Sequence, residues 1–246
     1  MIKFFRKIRQ NLLLEGKTSK YLKYAIGEVL LVVIGILLAL QINNWNENRK
    51  LRNVELNLLT DLKANLESTL EKFGRDTTFN SFTIDQYQNI KRYMSKDLPY
   101  DKELDTAFAN IPHWSSPYPI LTAYKTLQTK GLDIISNEPL RNQIIELYEY
   151  EYLRLSVDYD KQEWDIAQSV TNPFYAKHVR RYKEDSKWLA KPNNFESLKL
   201  NEEFGNILEM ITFCRHLGLA RYGSVMDSIK KLISSIDEEI KTREPN

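Results

Sequence analysis

The stretch from Ala25 to Ile42 reads AIGEVLLVVIGILLALQI, eighteen residues interrupted only by Glu28 and Gln41. As a helix rising 1.5 Å per residue it would cover about 27 Å, close to the hydrocarbon thickness of a bilayer. Tyr21 and Tyr24 precede it and Trp45 follows, at the level where amphipathic rings settle among headgroups. The expectation is a single transmembrane helix over 25–42, with Tyr21, Tyr24 and Trp45 as interfacial anchors. A buried helix of a soluble protein could be as apolar, but it would not call for aromatic residues at both ends and a basic arm on one side. A cleaved signal peptide would have a shorter apolar core ending in small residues, whereas Ala39-Leu40-Gln41 runs on into Ile42-Asn43-Asn44-Trp45.

Charge gives the expected orientation. Residues 1–24 hold Lys3, Arg6, Lys7, Arg9, Lys17, Lys20 and Lys23 against one acid, Glu15, while the chain beyond residue 42 carries more acids than bases. Only Arg49, Lys50 and Arg52 follow the span closely. By the positive-inside rule the N-terminus stays cytoplasmic and residues 43–246 are exported, which places the protein in the inner membrane with a periplasmic domain. Ile2, Phe4, Phe5, Ile8, Leu12 and Leu13 interleave the basic residues at helix-like spacing. That pattern suits an amphipathic helix on anionic lipid better than a nucleic-acid tail. Cys214 is the lone cysteine, so no intrachain disulfide and no thiolate metal site is expected. Eight glycines and eight prolines are few for this length and favour helix over turn-rich β structure.

The segment YAIGEVLLVVIGILLALQINNWNENRK (residues 24–50) resembles the N-terminal signature of a Bacteroidota family of uncharacterised single-pass membrane proteins, a domain of unknown function. Ala123-Tyr124, Leu127, Gly131, Ile135, Asn137, Leu140-Arg141, Ile144 and Tyr148 resemble it more loosely. The resemblance implies a cell-envelope location and a helical exported domain, and it brings no activity, substrate or catalytic residue.

Within the span, Glu28, Gly35 and Ala39 lie within about 40° of one another on a helix of 3.6 residues per turn. Gly35-x-x-x-Ala39 is a small-xxx-small pair that lets two backbones approach closely. A carboxylate inside the bilayer needs a proton, a partner or the headgroup zone. This face is the candidate for packing against a second copy or a partner membrane protein. In the plainer reading Glu28 reaches the interface near Lys20 or Lys23, and Gly35 and Ala39 are ordinary span residues.

Beyond the span the pattern is helical. Leu51, Val54, Leu58, Leu62, Leu66, Leu70 and Phe73 recur at three- or four-residue steps, with Gly74 as the expected end. Further helices are expected over Thr78–Lys96, Lys102–Asn110, Thr122–Thr129, Glu138 to about Val170, Leu200–Leu217 and Ala220–Lys241. Gly218 would divide the last two, and Asn172-Pro173 would end the long one. Gly131 reads as a C′ residue, Ser136 or Asn137 as an N-cap, and Pro139 as a first-turn proline. IPHWSSPYPI (Ile111–Ile120), with three prolines, is an irregular loop expected to wrap a bundle end; the sharper reading is a docking surface for protein or glycan. Residues 174–198 are aromatic and basic. Lys177, Arg180, Arg181 and Lys183 form a candidate patch for an anionic partner, weighed against a solvated face over packed rings.

Little here is catalytic in pattern. Gly16-Lys17-Thr18 mimics the end of a phosphate-binding loop, but Asn11 stands where the first glycine belongs. Ser228-x-x-Lys231 has the spacing of a penicillin-binding nucleophile without its companion motifs. His113, His178 and His216 are scattered and lack metal-ligand spacing. No cofactor, metal or nucleic acid is expected. The expected fold is all-α: one transmembrane helix followed by an extracytoplasmic helical bundle. The expected function is a non-enzymatic envelope module for interaction or assembly, with a ligand-sensing domain as the alternative and an envelope hydrolase as a third.

Overall fold

A computed structural model describes residues 18–243, with the side chains of residues 18–21, 24 and 243 left out of the description. Most of the basic arm expected over 1–24, and the side chains of Tyr21 and Tyr24, therefore lie outside the described residues. The chain divides into two compact units, Met1–Glu55 and Leu56–Asn246. Helix α1, Thr18–Ser95, contributes its first part to one unit and its remainder to the other.

In the first unit the apolar stretch is helical, and its most apolar window is nowhere buried within the protein. Val29, Leu30, Leu31, Ile34, Leu37 and Leu38 are all exposed. By length and composition this is the one helix among the described residues that could cross a membrane.

In the second unit α1 runs on to Ser95, through Gly74, which was expected to stop it. A helical glycine costs about 1 kcal/mol against alanine. Here the inward stripe continues on both sides of it, through Leu62, Leu66, Thr69, Phe73, Asp76, Asn80, Thr83 and Tyr87. The stripe turns polar at Asp76, Asn80 and Thr83, so apolar periodicity vanishes although burial does not. After α1 come α2 (Leu104–Asn110), α3 (Thr122–Lys130) and a 3-10 turn, Leu132–Ile134. Gly131 ends α3 with a φ of 100°, a conformation open to glycine alone. Asn137 caps the next helix by accepting from the Leu140 amide at 3.2 Å, and Pro139 lies in its first turn.

Helix α4 covers 138–178 and alternates α and π turns. Its π segments are Glu146–Glu151, Leu155–Asp160 and Ala167–Thr171. Their cause is legible in the burial pattern, because Leu155, Tyr159, Glu163, Ala167 and Thr171 are buried at strict four-residue steps. In a straight α-helix each such step overshoots by about 40°, which would carry the stripe about 160° around the helix over four steps. The wider π turns hold more residues per turn and keep the stripe facing inward. The π segment ending at Thr171 also lets the helix pass Pro173, the residue expected to break it, by placing that proline in the first turn of Asn172–His178.

The all-α expectation is corrected at residues 179–192. Strands β1 (Val179–Glu184) and β2 (Lys187–Pro192) pair antiparallel, with Arg181 opposite Ala190 and Lys183 opposite Trp188. The connecting residues Asp185 and Ser186 both have positive φ, 46° and 65°, as a type I′ hairpin turn requires. A lone hairpin is marginal in water. This one is held because Val179 and Ala190 enter the core cluster with Phe108, Phe174, Phe195 and Phe204. Short α5 (Phe195–Lys199) leads to α6 (Glu202–Arg243), a single helix through Gly218 where two were expected.

α6 lies antiparallel to the second-unit part of α1. Lys63 pairs with Asp237 at 2.6 Å and Lys91 with Glu209 at 2.6 Å. Gly218 serves the packing of α6 against α4, since a Cβ built on it would lie 2.1 Å from Cε2 of Tyr159. Gly218→Ala should therefore lower stability by about 1–3 kcal/mol through overpacking. Gly223→Ala, on the same helix with nothing within 4 Å of the added atom, should be neutral or stabilising. Thermal melts of the two variants side by side measure the difference.

Candidate functional site

The proline-rich segment around 111–120 does not wrap a bundle end. It is laced along α1 by the polar residues that hid the helix. Asn80 accepts from the Ser115 amide at 2.8 Å, and Ser115 donates its hydroxyl to Asp76 at 2.6 Å. Lys72 donates to the Tyr118 carbonyl at 3.0 Å, Thr69 accepts from the Ile120 amide at 3.0 Å, and Thr122 donates to Asn65 at 2.7 Å. Each bond satisfies a backbone or side-chain group that a strand or helix would otherwise have to satisfy.

Behind this segment sits Arg215 of α6, 1% exposed and the largest fully buried side chain among the described residues. Its Nε donates to Glu163 of α4 at 2.7 Å, and its Nη1 donates to Thr83 of α1 at 2.6 Å and to the His113 carbonyl at 3.2 Å. One guanidinium thus joins α1, α4, α6 and the loop. Burial, and after it the Glu163 charge, push the neighbouring Cys214 thiol up to about 12.

His113 is where the loop meets the hairpin. Arg181 of β1 lies against its Nε2 and also donates to the Ala109 carbonyl at 3.4 Å. A guanidinium only donates, so His113 Nε2 accepts and the neutral ring carries its proton on Nδ1. Burial, and then the Arg181 charge, hold the His113 pKa below its ordinary value. Two clefts share His113 in their lining. One, of about 420 Å³, is lined by Ala109, Asn110, His113, Arg181 and Trp188. The other, of about 180 Å³, is lined by His113 together with Trp114, Trp164, Gln168 and Asn172. Trp114 donates to Asp160 at 2.8 Å and meets Trp164 edge to face at 5.1 Å.

The candidate anionic-partner residues separate. All four are exposed, but Arg181 alone of them is turned to the loop, where it also lies over the Tyr175 ring at 5.8 Å. Next to them Tyr182 and Tyr100 both donate to the buried carboxylate of Asp105. In the first unit Glu28 is half-buried, while Gly35 and Ala39 are exposed, with no atom within 4 Å of a Cβ built on Gly35. Trp45 is exposed, with Arg49 over its ring at 5.3 Å. Ser228 and Lys231, the chance motif, both line a groove of about 530 Å³ between α4 and α6. There Ser228 donates to Glu151 at 2.8 Å. Among the described residues no cluster of His, Cys, Asp or Glu could hold a metal ion.

A family model described as a family of unknown function (DUF6090) matches residues 28–198. The chain belongs to this family. The matched stretch takes in the apolar helix, the laced loop, the hairpin and α5, while α6 with Arg215 lies beyond it. No curated protein and no solved structure matches the chain.

Two outcomes follow from this geometry. Arg215→Met alone should cost about 3–5 kcal/mol by stranding Glu163 in the core, and Arg215→Met with Glu163→Met should recover much of it. Urea unfolding of the single and double variants decides. The Tyr182 hydroxyl is pushed up to about 12 by its bond to Asp105 and by burial. Burial likewise raises Tyr148, Tyr152, Tyr159 and Tyr222. Because the folded values lie above the unfolded value of about 10, stability should be complete below that pH and fall as pH rises through it. Melts followed by phenolate absorbance should show these rings ionising together with unfolding.

Proposed function

We propose that this chain is a single-pass inner-membrane protein, with its N-terminus cytoplasmic and its second unit exported as an interaction or assembly module. The observation that carries the reading is the apolar helix over 25–42, whose most apolar window has no buried residue and whose large apolar side chains are exposed among the described residues. Leaving so many large apolar side chains in water is costly, at about 25 cal/mol per Å² of apolar surface, and a bilayer removes that cost. The basic residues before it and the Trp45–Arg49 pair after it suit the two headgroup zones. Within the bilayer the face of Glu28, Gly35 and Ala39 would meet a second copy or a partner span.

A binding rather than catalytic role for the second unit is supported by its surface. Its clefts are rimmed by exposed Trp188 and Trp164 and open to solvent, whereas most catalytic sites exclude water. Tyr150, Leu153, Val157 and Trp164 also recur as an exposed apolar row on α4. The clefts at His113 favour a second reading in which this unit senses a small molecule and reports through the span.

In its native host the protein should pellet with membranes, resist alkaline carbonate and dissolve only in detergent. A phosphatase fused after Asn246 should be active and a fluorescent protein fused there dark; the opposite pair would place the second unit in the cytosol. Gly35→Leu should reduce crosslinked oligomers or partner adducts in native membranes, and an unchanged pattern would remove the packing face.

A further inference from the structure

Three of the four tryptophans, Trp114, Trp164 and Trp188, line the two clefts that meet at His113. Trp188 is 65% exposed on a two-stranded hairpin, an expensive place for an indole unless something stacks on it. It shares its cleft with Arg181, whose position is fixed by the Ala109 carbonyl, by His113 and by the Tyr175 ring. The surroundings favour an anion: residues 177–191 carry six Lys or Arg against Glu184 and Asp185. One guanidinium with an N–H edge already committed suits a single carboxylate. A polyphosphate would call for several cations or a nest of backbone amides, as at a phosphate-binding helix start.

The remaining groups are neutral and planar. Asn110, in the lining of the first cleft, commits one amide N–H to the Thr106 carbonyl at 2.8 Å and keeps its side-chain oxygen as an acceptor. Gln168 and Asn172 bring further amides to the second. Amides with both donors and acceptors match vicinal hydroxyls, and an indole face carries negative potential that attracts the polarised C–H bonds of a sugar ring. The volume of the first cleft falls within the ordinary range for small-ligand sites.

We propose that the paired clefts flanking His113 bind an acidic sugar, with its carboxylate on Arg181 and its ring on Trp188, and with a second residue of the chain extending past His113 toward Trp114 and Trp164. This names a ligand class for the second unit; it rests on reading that unit as a binding module, but not on the anchor or on the side of the membrane it faces.

The test uses the full chain in phosphatidylcholine nanodiscs, free of sugar-headed detergent, titrated with trigalacturonate, maltotriose and adenosine monophosphate. Saturation-transfer NMR and calorimetry should show trigalacturonate binding with a perturbed His113 ring, and maltotriose at least about tenfold weaker. Trp188→Ala and Arg181→Gln should each weaken trigalacturonate at least about tenfold, while Lys130→Ala, on distant α3, leaves it unchanged. Melts check each variant, and Trp188, being exposed, carries the test if Arg181→Gln lowers stability. No trigalacturonate binding, equal affinity for the neutral sugar, or wild-type binding by Trp188→Ala would overturn the proposal. Tighter binding of adenosine monophosphate would assign the clefts to a nucleotide instead. None of these results changes where the protein fractionates, so failure here and failure of the anchored reading remain separate.

Discussion

A charge taken out of water must be met by partners on every side, and in this protein that requirement organises the second unit around Arg215. Its guanidinium has no exposed edge, so Glu163, Thr83 and the His113 carbonyl must all be in place at once. Those three groups come from α4, α1 and the laced loop. Hydrophobic contact alone would tolerate some sliding of α1 on α6; a buried guanidinium with fixed donor directions does not. The ion pair adds little net stability over a well-packed apolar pair of the same size. What it contributes is registry between three helices and an irregular segment.

The same requirement explains which parts of the fold were legible in the sequence. The apolar helix and the upper part of α1 carry unbroken periodicity, and the Gly131 stop and the Asn137 cap follow from local backbone chemistry, so they could be read directly. Gly74 misled because the stripe beyond it is Asp76, Asn80 and Thr83, polar residues that face inward to hold Ser115 and Arg215. Burial continued there while hydrophobicity stopped. Gly218 misled in a related way: it looked like a break and is a recess for the Tyr159 ring. A glycine in a helix pattern has two meanings, and only the neighbour across the interface separates them.

α4 and the hairpin were hidden for different reasons. A four-residue burial step lies between the periods of α and π helix, and only the choice of π turns reconciles it with a single inward face. The hairpin turn is Asp185-Ser186 in place of a glycine-bearing pair, and its strands are short and mostly charged, so residues 174–198 read as a basic face. His113 belongs to the loop, and Arg181 and Trp188 to the basic segment. That they line one cleft depends on the hairpin folding back on α2, a long-range event that no local pattern encodes.

The bond from Arg215 to the His113 carbonyl has a kinetic consequence. Surface loops ordinarily open by local fluctuations far cheaper than global unfolding, and their amides exchange accordingly. Here the loop backbone is bonded to a buried guanidinium, so detaching it leaves an N–H of a buried charge without its acceptor. The rim of the clefts thereby belongs to the same cooperative block as the helices beneath it, and its deuterium uptake is expected to track theirs, slow and late, rather than that of a free surface loop.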